Sequence, residues 1–596
     1  MKKVISILLT LCMLMALVPT AFAASTPPDF SDGWTALTSA DGGKEFIGGN
    51  YYLNDDITID YCLTFLGDVV LDLNGHVIKL NSELYGGSVD NCILRIFNKG
   101  VYNDNYYTTN FTLQDSNPTA KHYFSKQSDG TWKWDPTVTE ATEGYELVEG
   151  GVITGGTGGE PISETPVGGG ILIFAQSAPD GPKPINVTIN GGNIVGCKTK
   201  LGGGIGNWHG TVTMNGGNII GCVATQNGGG IENRGRTVTI NGGNIKDCVA
   251  NNRGGGIYNY SGSLNINGGN IIGCVTNTGD GGGIYVSDGI ATVDGGNIKD
   301  CVAAKRGGGV YSASPGIFTL NSGKIENCSA DEGGGVCESS TFTMNGGSIE
   351  NCVATKSGGG VFNRDGKFKM KGGIIKNCTA TKSPESNAYY ANSSKLFADG
   401  GVIDGTVNIS LQGTITRSDD AEGTTVFNEK VTYDDEIKAG IFYGGLEKGS
   451  GSGAIVGNTY TVKFFENDTD TEPFATALVV GDGTKLVPPT APTKTGYTFD
   501  AWYTEGGDEY KFDSAVASDF SLYAEYTHTD HADSDGDGLC DVCDETMPTT
   551  PTEPTEPTEP TTPTVEKTLR DYIINVVYEA LMALVRIIIN AVKSYI

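Results

Sequence analysis

Residues 215–222 read Asn215-Gly216-Gly217-Asn218-Ile219-Ile220-Gly221-Cys222, and a little further on Gly254-Gly255-Gly256-Ile257-Tyr258-Asn259 supplies the second phrase of a repeating unit. Gly-Gly-Gly begins at 168, 202, 228, 254, 281, 307, 333 and 358. Asn-Gly-Gly or a near variant begins at 190, 215, 241, 267, 294, 321, 345 and 371, and cysteine follows at 197, 222, 248, 274, 301, 328, 352 and 378. Three markers in one fixed order, with the triple glycine recurring every 25 to 27 residues after its first interval, make a solenoid the first hypothesis.

Between the triple glycine and Asn-Gly-Gly lies a short segment such as Val212-Thr213-Met214, Val238-Thr239-Ile240 or Phe342-Thr343-Met344. Apolar, polar, apolar is the pattern of a strand with one buried face. Such a strand is too short to stand alone. If each repeat is one turn of a coil, the strands stack in parallel at ~4.8 Å, apolar residues fill the lumen and threonines line the outside, so eight turns span roughly 38 Å. The glycines are expected at the corners, where the backbone needs positive φ or close packing.

Composition agrees with this reading. The chain has 596 residues, with 88 Gly and 22 Pro but no three-residue glycine period, which excludes collagen. Hydrophobic residues at 38% suffice for a large core. Forty basic against 70 acidic side chains give a net charge of −30, which argues against nucleic acid as a partner because phosphate binding needs a basic footprint. Residues 1–23 read as a secretory signal: Lys2 and Lys3 precede an apolar run, and Ala21-Phe22-Ala23 offers a cleavage pattern. The chain is therefore expected outside the cell, free or at its surface.

The repeats resemble the right-handed parallel β-helix of pectin-lyase-like proteins, and more closely the glycine-rich, adhesin-like β-helix proteins of bacterial surfaces. The resemblance rests on the two quoted phrases, with Cys222 where those proteins often carry Asn, and on Leu71-Asp72-Leu73-Asn74-Gly75-His76. It runs from about Thr26 to Asn458 and speaks to fold more than to activity. Residues 459–527 resemble a Listeria-Bacteroides (internalin B-type) repeat, a small β-grasp module, through Tyr460-Thr461-Val462-Lys463-Phe464, Thr495-Gly496-Tyr497-Thr498-Phe499, Ala501-Trp502-Tyr503 and Leu522-Tyr523-Ala524. The expected fold is all-β: a right-handed parallel β-helix solenoid over 24–458, with clear repeats at 168–380 and a hairpin insertion at 116–150, then the β-grasp module. An acidic loop over 528–547, a Pro/Thr linker over 548–564 and an amphipathic helix over 565–596 complete the chain. Prolines 548, 551, 554, 557, 560 and 563 favour an extended spacer. The helix, with a narrow polar stripe, is expected at a membrane interface or in self-association.

Candidate chemistry concentrates in the acidic loop. Asp533, Asp535, Asp537, Leu539, Asp541 and Asp544 occupy positions 1, 3, 5, 7, 9 and 12 of an EF-hand-like loop with Gly538 at position 6, a spacing that suits calcium, although Asp at position 12 reaches less far than Glu. His528, His531, Cys540 and Cys543 form an alternative set for tetrahedral zinc, and the two cysteines are also placed for a disulfide.

Within the coils, the residue after Gly-Gly-Gly-Ile/Val should face away from the lumen. That column holds Tyr258, Tyr285 and Tyr311. Stacked aromatic rings there bind sugar or a protein edge, or else form a ladder that stabilises the coil. Two residues beyond the Ile/Val, Asn207, Asn233, Asn259 and Asn363 suggest an inward asparagine ladder. The eight repeat cysteines suit a reduced, buried stack better than disulfides, since parallel stacking aims their Cβ vectors alike. Trp132 and Trp134, beside the hairpin signal Asp129-Gly130, are either recognition contacts or the packing of a lid onto the coils.

The functional expectation is a secreted, adhesin-like surface protein that binds an extracellular glycan or surface protein. The alternatives are a polysaccharide lyase or glycoside hydrolase on the same solenoid, or a passive stalk. Asp247 and Asp300 lie in phase two coils apart, roughly 9.6 Å by strand spacing, a separation that permits hydrolysis. No base or aromatic subsite accompanies them in the sequence, so they read as solvated surface charge.

Overall fold

The computed structural model describes Phe30 and residues 33–528, apart from 82–91, 101–104, 158–166, 383–385, 393, 411–413, 419–420, 422, 435 and 450–453. The proposed signal segment, calcium loop, Pro/Thr linker and C-terminal helix lie outside the described residues.

One coil shows how the repeat folds. Ile257–Asn259 forms the first strand, Ser263–Ile266 the second, Asn270–Ile272 the third and Val275–Thr276 a short fourth. Each pairs in parallel with its counterpart one repeat later: Ile257 with Ile284, Ser263 with Ile290, Asn270 with Asn297 and Val275 with Val302. The result is the expected right-handed parallel β-helix, with four strands per coil where the alternation in the sequence revealed one. Among the described residues there is no α-helix; a 3-10 turn stands at Ser39–Asp41.

The lumen is largely apolar, with one column of buried polar residues that includes Asn207, Asn233, Asn259 and Asn363. Ile257, Leu264, Ile266, Ile271 and Cys274 of this coil are all buried in one continuous core with their equivalents above and below. Each such side chain contributes about 1.5–3 kcal/mol on burial. The second-strand column becomes aromatic further along, where Phe318, Phe342 and Phe368 stack at 5.0 and 4.7 Å.

Two corners of each coil turn through a left-handed backbone. At the Asn-Gly-Gly corner, Gly269 has φ 71°, and a Cβ there would lie 2.5 Å from the Gly243 carbonyl oxygen. Before each repeat cysteine the backbone is again left-handed, in the column Gly196, Gly221, Asp247, Gly273, Asp300, Asn327, Asn351 and Asn377. Asn and Asp tolerate this region better than other residues with a Cβ.

The end of the solenoid is not open. Its strand Gly440–Phe442 pairs antiparallel with Ala475–Val480 of the following module, which also pairs with Thr459–Phe465. Val462, Phe464, Trp502 and Leu522 of the module share a core with Val426 and Ile441 of the solenoid, and Tyr443 donates a 2.6 Å hydrogen bond to the Val487 carbonyl. The module thus covers an edge that would otherwise expose unpaired strand groups.

Candidate functional site

Tyr258, Tyr285 and Tyr311 do face away from the lumen, with ring centroids 5.3 and 5.0 Å apart. They are nevertheless only 2%, 6% and 5% exposed, in a cluster of their own with Cys337 and Phe362. The residues just before the triple glycines roof them. Arg253 lies 5.2 Å from the Tyr285 centroid and Arg306 4.7 Å from that of Tyr311, while Arg306 is fixed by two hydrogen bonds to Asp280 of 2.9 and 2.8 Å. Burial pushes the Tyr285 hydroxyl up to about 12. Of the two readings of this column, its burial supports the ladder that stabilises the coil.

The hairpin insertion is a three-stranded antiparallel sheet of Lys121–Lys126, Trp132–Trp134 and Tyr145–Glu149, turning at Asp129 and Gly130 as expected. It lies against the outside of the third-strand face. Trp132 is 3% exposed among Val77, Val152, Val195 and Ile220, and Trp134 is half-buried beside it. Lys198 ties the turn down through a 2.8 Å ion pair with Asp129, whose carboxyl sits at about 2 because burial, which raises it, is outweighed by the hydrogen bonds from Lys198 and Thr131. Of the two readings of Trp132, the lid is the one its burial supports.

The asparagine ladder is present: Asn207 donates to Asn233 at 2.9 Å and Asn233 to Asn259 at 2.7 Å, all fully buried. The eight repeat cysteines are unpaired and buried, and burial raises the thiols of Cys222 and Cys248, which makes those two poorly reactive in the folded chain. Asp247 and Asp300 belong to the left-handed corner column. Lys246 approaches Asp247 at 3.7 Å and Lys299 approaches Asp300 at 3.9 Å. Asp533, Asp535, Asp537, Leu539, Asp541 and Asp544 lie outside the described residues, as do His531, Cys540 and Cys543; His528, buried, ends the last strand of the module.

A feature that sequence reading missed stands at the turn between the first and second strands. The coil containing Ile171–Phe174 and Ile185–Ile189 interposes residues 175–184, where later coils need only a few. This loop and the turns of the next two coils enclose a cleft of about 490 Å³, lined among others by Gln176, Lys183, His209 and Arg236. A second cleft of about 500 Å³, with Tyr106 and Tyr107, borders the same loop. Beside the first, Arg234 lies between Trp208 and Tyr260, 4.7 and 5.1 Å from their centroids, and its Nε donates to Glu232 at 2.6 Å. The available signal was the first triple-glycine interval: 202 − 168 = 34 residues, against 228 − 202 = 26 for the next.

Residues 460–525 match the Listeria-Bacteroides repeat domain. A stretch of 56 residues is 45% identical to internalin H of Listeria monocytogenes, covering 9% of this chain and 10% of that protein. The chain thus spans about a tenth of the length of this curated relative. No solved structure matches the chain significantly.

Proposed function

We propose that this is a secreted, adhesin-type surface protein whose β-helix binds an extracellular glycan or surface protein. The observation that carries the reading is the Listeria-Bacteroides repeat at residues 460–525, a module shared with an internalin, built into the end of the solenoid. A stiff coil stack ending in such a module suits display of a binding surface away from its anchor. The acidic segment belongs to the same proposal, with Asp533, Asp535, Asp537, Asp541, Asp544 and the Leu539 carbonyl holding calcium, and His528, His531, Cys540 and Cys543 the rival zinc set. The C-terminal segment 565–596 would hold the chain at a membrane interface or to another copy.

The test is retention of the full chain on a panel of immobilised glycans and surface proteins. At least one specific ligand is expected. Retention on none of them favours a passive stalk. In the same preparation, bound calcium is expected in wild type and its loss in Asp533→Ala; equal calcium content in both removes the metal assignment.

A further inference from the structure

The loop 175–184 is built to hold its shape. Its sequence includes Pro179, Pro182 and Pro184, which limit the conformations open to it before any ligand arrives. Its base is closed by Asn98, 1% exposed, which donates to the Gln176 and Lys183 carbonyls at 2.7 and 2.9 Å and accepts from the Gln176 N–H at 2.8 Å. A buried amide thus fixes where Lys183 leaves the wall of the cleft.

Across from the wall lie His209 and Arg236, both exposed, on the turns of successive coils. Arg236 forms no ion pair among the described residues, whereas its neighbour Arg234 is committed to Glu232 and Arg306 to Asp280. Among the described residues Lys183 pairs only with the exposed Asp180, at 3.2 Å. His209 has φ 73°, and among the described residues it is the one left-handed position that is not Gly, Asn or Asp. A side chain kept at such a backbone position is a common mark of a functional site. Lys183 and Arg236 thus bring two cations to one cleft in a chain of net charge −30.

We propose that this cleft takes an anionic sugar unit, carboxylated or sulfated, of an extracellular glycan; the proposal rests on the ligand-binding reading above. The planar guanidinium of Arg236 offers two parallel donors to a carboxylate or sulfate, and Lys183 and His209 supply further donors from the wall and the neighbouring turn. The volume is that of a small-ligand site, and the ring itself would lie along the apolar parts of Ala175, Pro182 and Pro184.

The experiment titrates the full chain with an oligogalacturonate, a sulfated galactan oligomer and a neutral galactan oligomer. At least one anionic oligomer is expected to bind, more weakly as salt rises, and the neutral one about tenfold or more below it. Arg236→Gln is expected to lose about tenfold or more in affinity at unchanged melting temperature, and Lys183→Met to lose less. Comparing the two anionic arms tells carboxylate from sulfate recognition. Undiminished binding by Arg236→Gln, equal affinity for the neutral oligomer, or no binding of either anionic oligomer overturns the assignment. A ligand held equally by wild type and Arg236→Gln sinks the cleft and leaves the adhesin reading standing, whereas retention of nothing sinks both.

Discussion

Glu338 occupies the column that holds Asn233, Asn259 and Asn363 in other coils, with no exposure to solvent. One carboxyl oxygen accepts the Ser340 N–H at 3.1 Å and the other has no hydrogen-bond partner. Burial pushes the group up to about 8, far above the ordinary glutamate range near 4.3. A carboxyl raised on folding favours the native state while protonated, so its contribution is complete below about pH 4.3 and disappears as pH rises through about 8. The free energy of unfolding is therefore expected to fall between pH 5 and pH 8, and Glu338→Gln to flatten that fall by an amount on the order of a few kcal/mol, read from denaturant unfolding at each pH. An unchanged pH profile in the variant contradicts the assignment. That glutamate stands in an asparagine column was legible in the spacing of the repeats. Its missing second partner was not, because that depends on which side chains of the adjacent coils reach it.

At the scale of elements, the corner before each cysteine offers a controlled comparison. Gly221 and Gly273 share the same left-handed backbone, with φ 56° and 62°, and other coils place Asp or Asn there. They differ in what covers them: a Cβ on Gly221 would lie 2.1 Å from the Trp132 ring, whereas one on Gly273 meets the end of the Asp247 side chain at 2.5 Å. Gly221→Asn is expected to lift the lid, costing about 2–3 kcal/mol of aromatic burial and shifting tryptophan emission to the red, while Gly273→Asn leaves both nearly unchanged. Equal effects from the two substitutions contradict the docking of the insertion. The hairpin turn was readable from Asp129-Gly130. Its docking surface was not, because Val77, Val152, Val195 and Ile220 are brought together only by coil stacking. The same limit applied to the strands. Val238-Thr239-Ile240 announced its face by alternation, but Val249–Ala250 is two residues long and carries no period. The cleft depended on Asn98 bonding to carbonyls 78 and 85 positions away, a contact that no local pattern records.

For the molecule as a whole, stacking every outward and inward column in register yields a rigid surface whose aromatic faces are mostly covered, by Arg253 and Arg306 on one side and by the lid on another. In the proposed reading recognition falls to the interruption in the repeat, the loop 175–184 and its cleft, as is usual for loops carried on a rigid scaffold. The module at residues 459–527 caps the far end through the pairing of Gly440–Phe442 with Ala475–Val480. The central claim is that this solenoid binds its ligand without cleaving it. Incubating the full chain with acidic and neutral polysaccharides, and measuring retained glycan and newly formed reducing ends in the same sample, tests that most directly. Retention with no new reducing ends is the predicted result; reducing ends that accumulate with time and enzyme-like dependence on protein concentration contradict it.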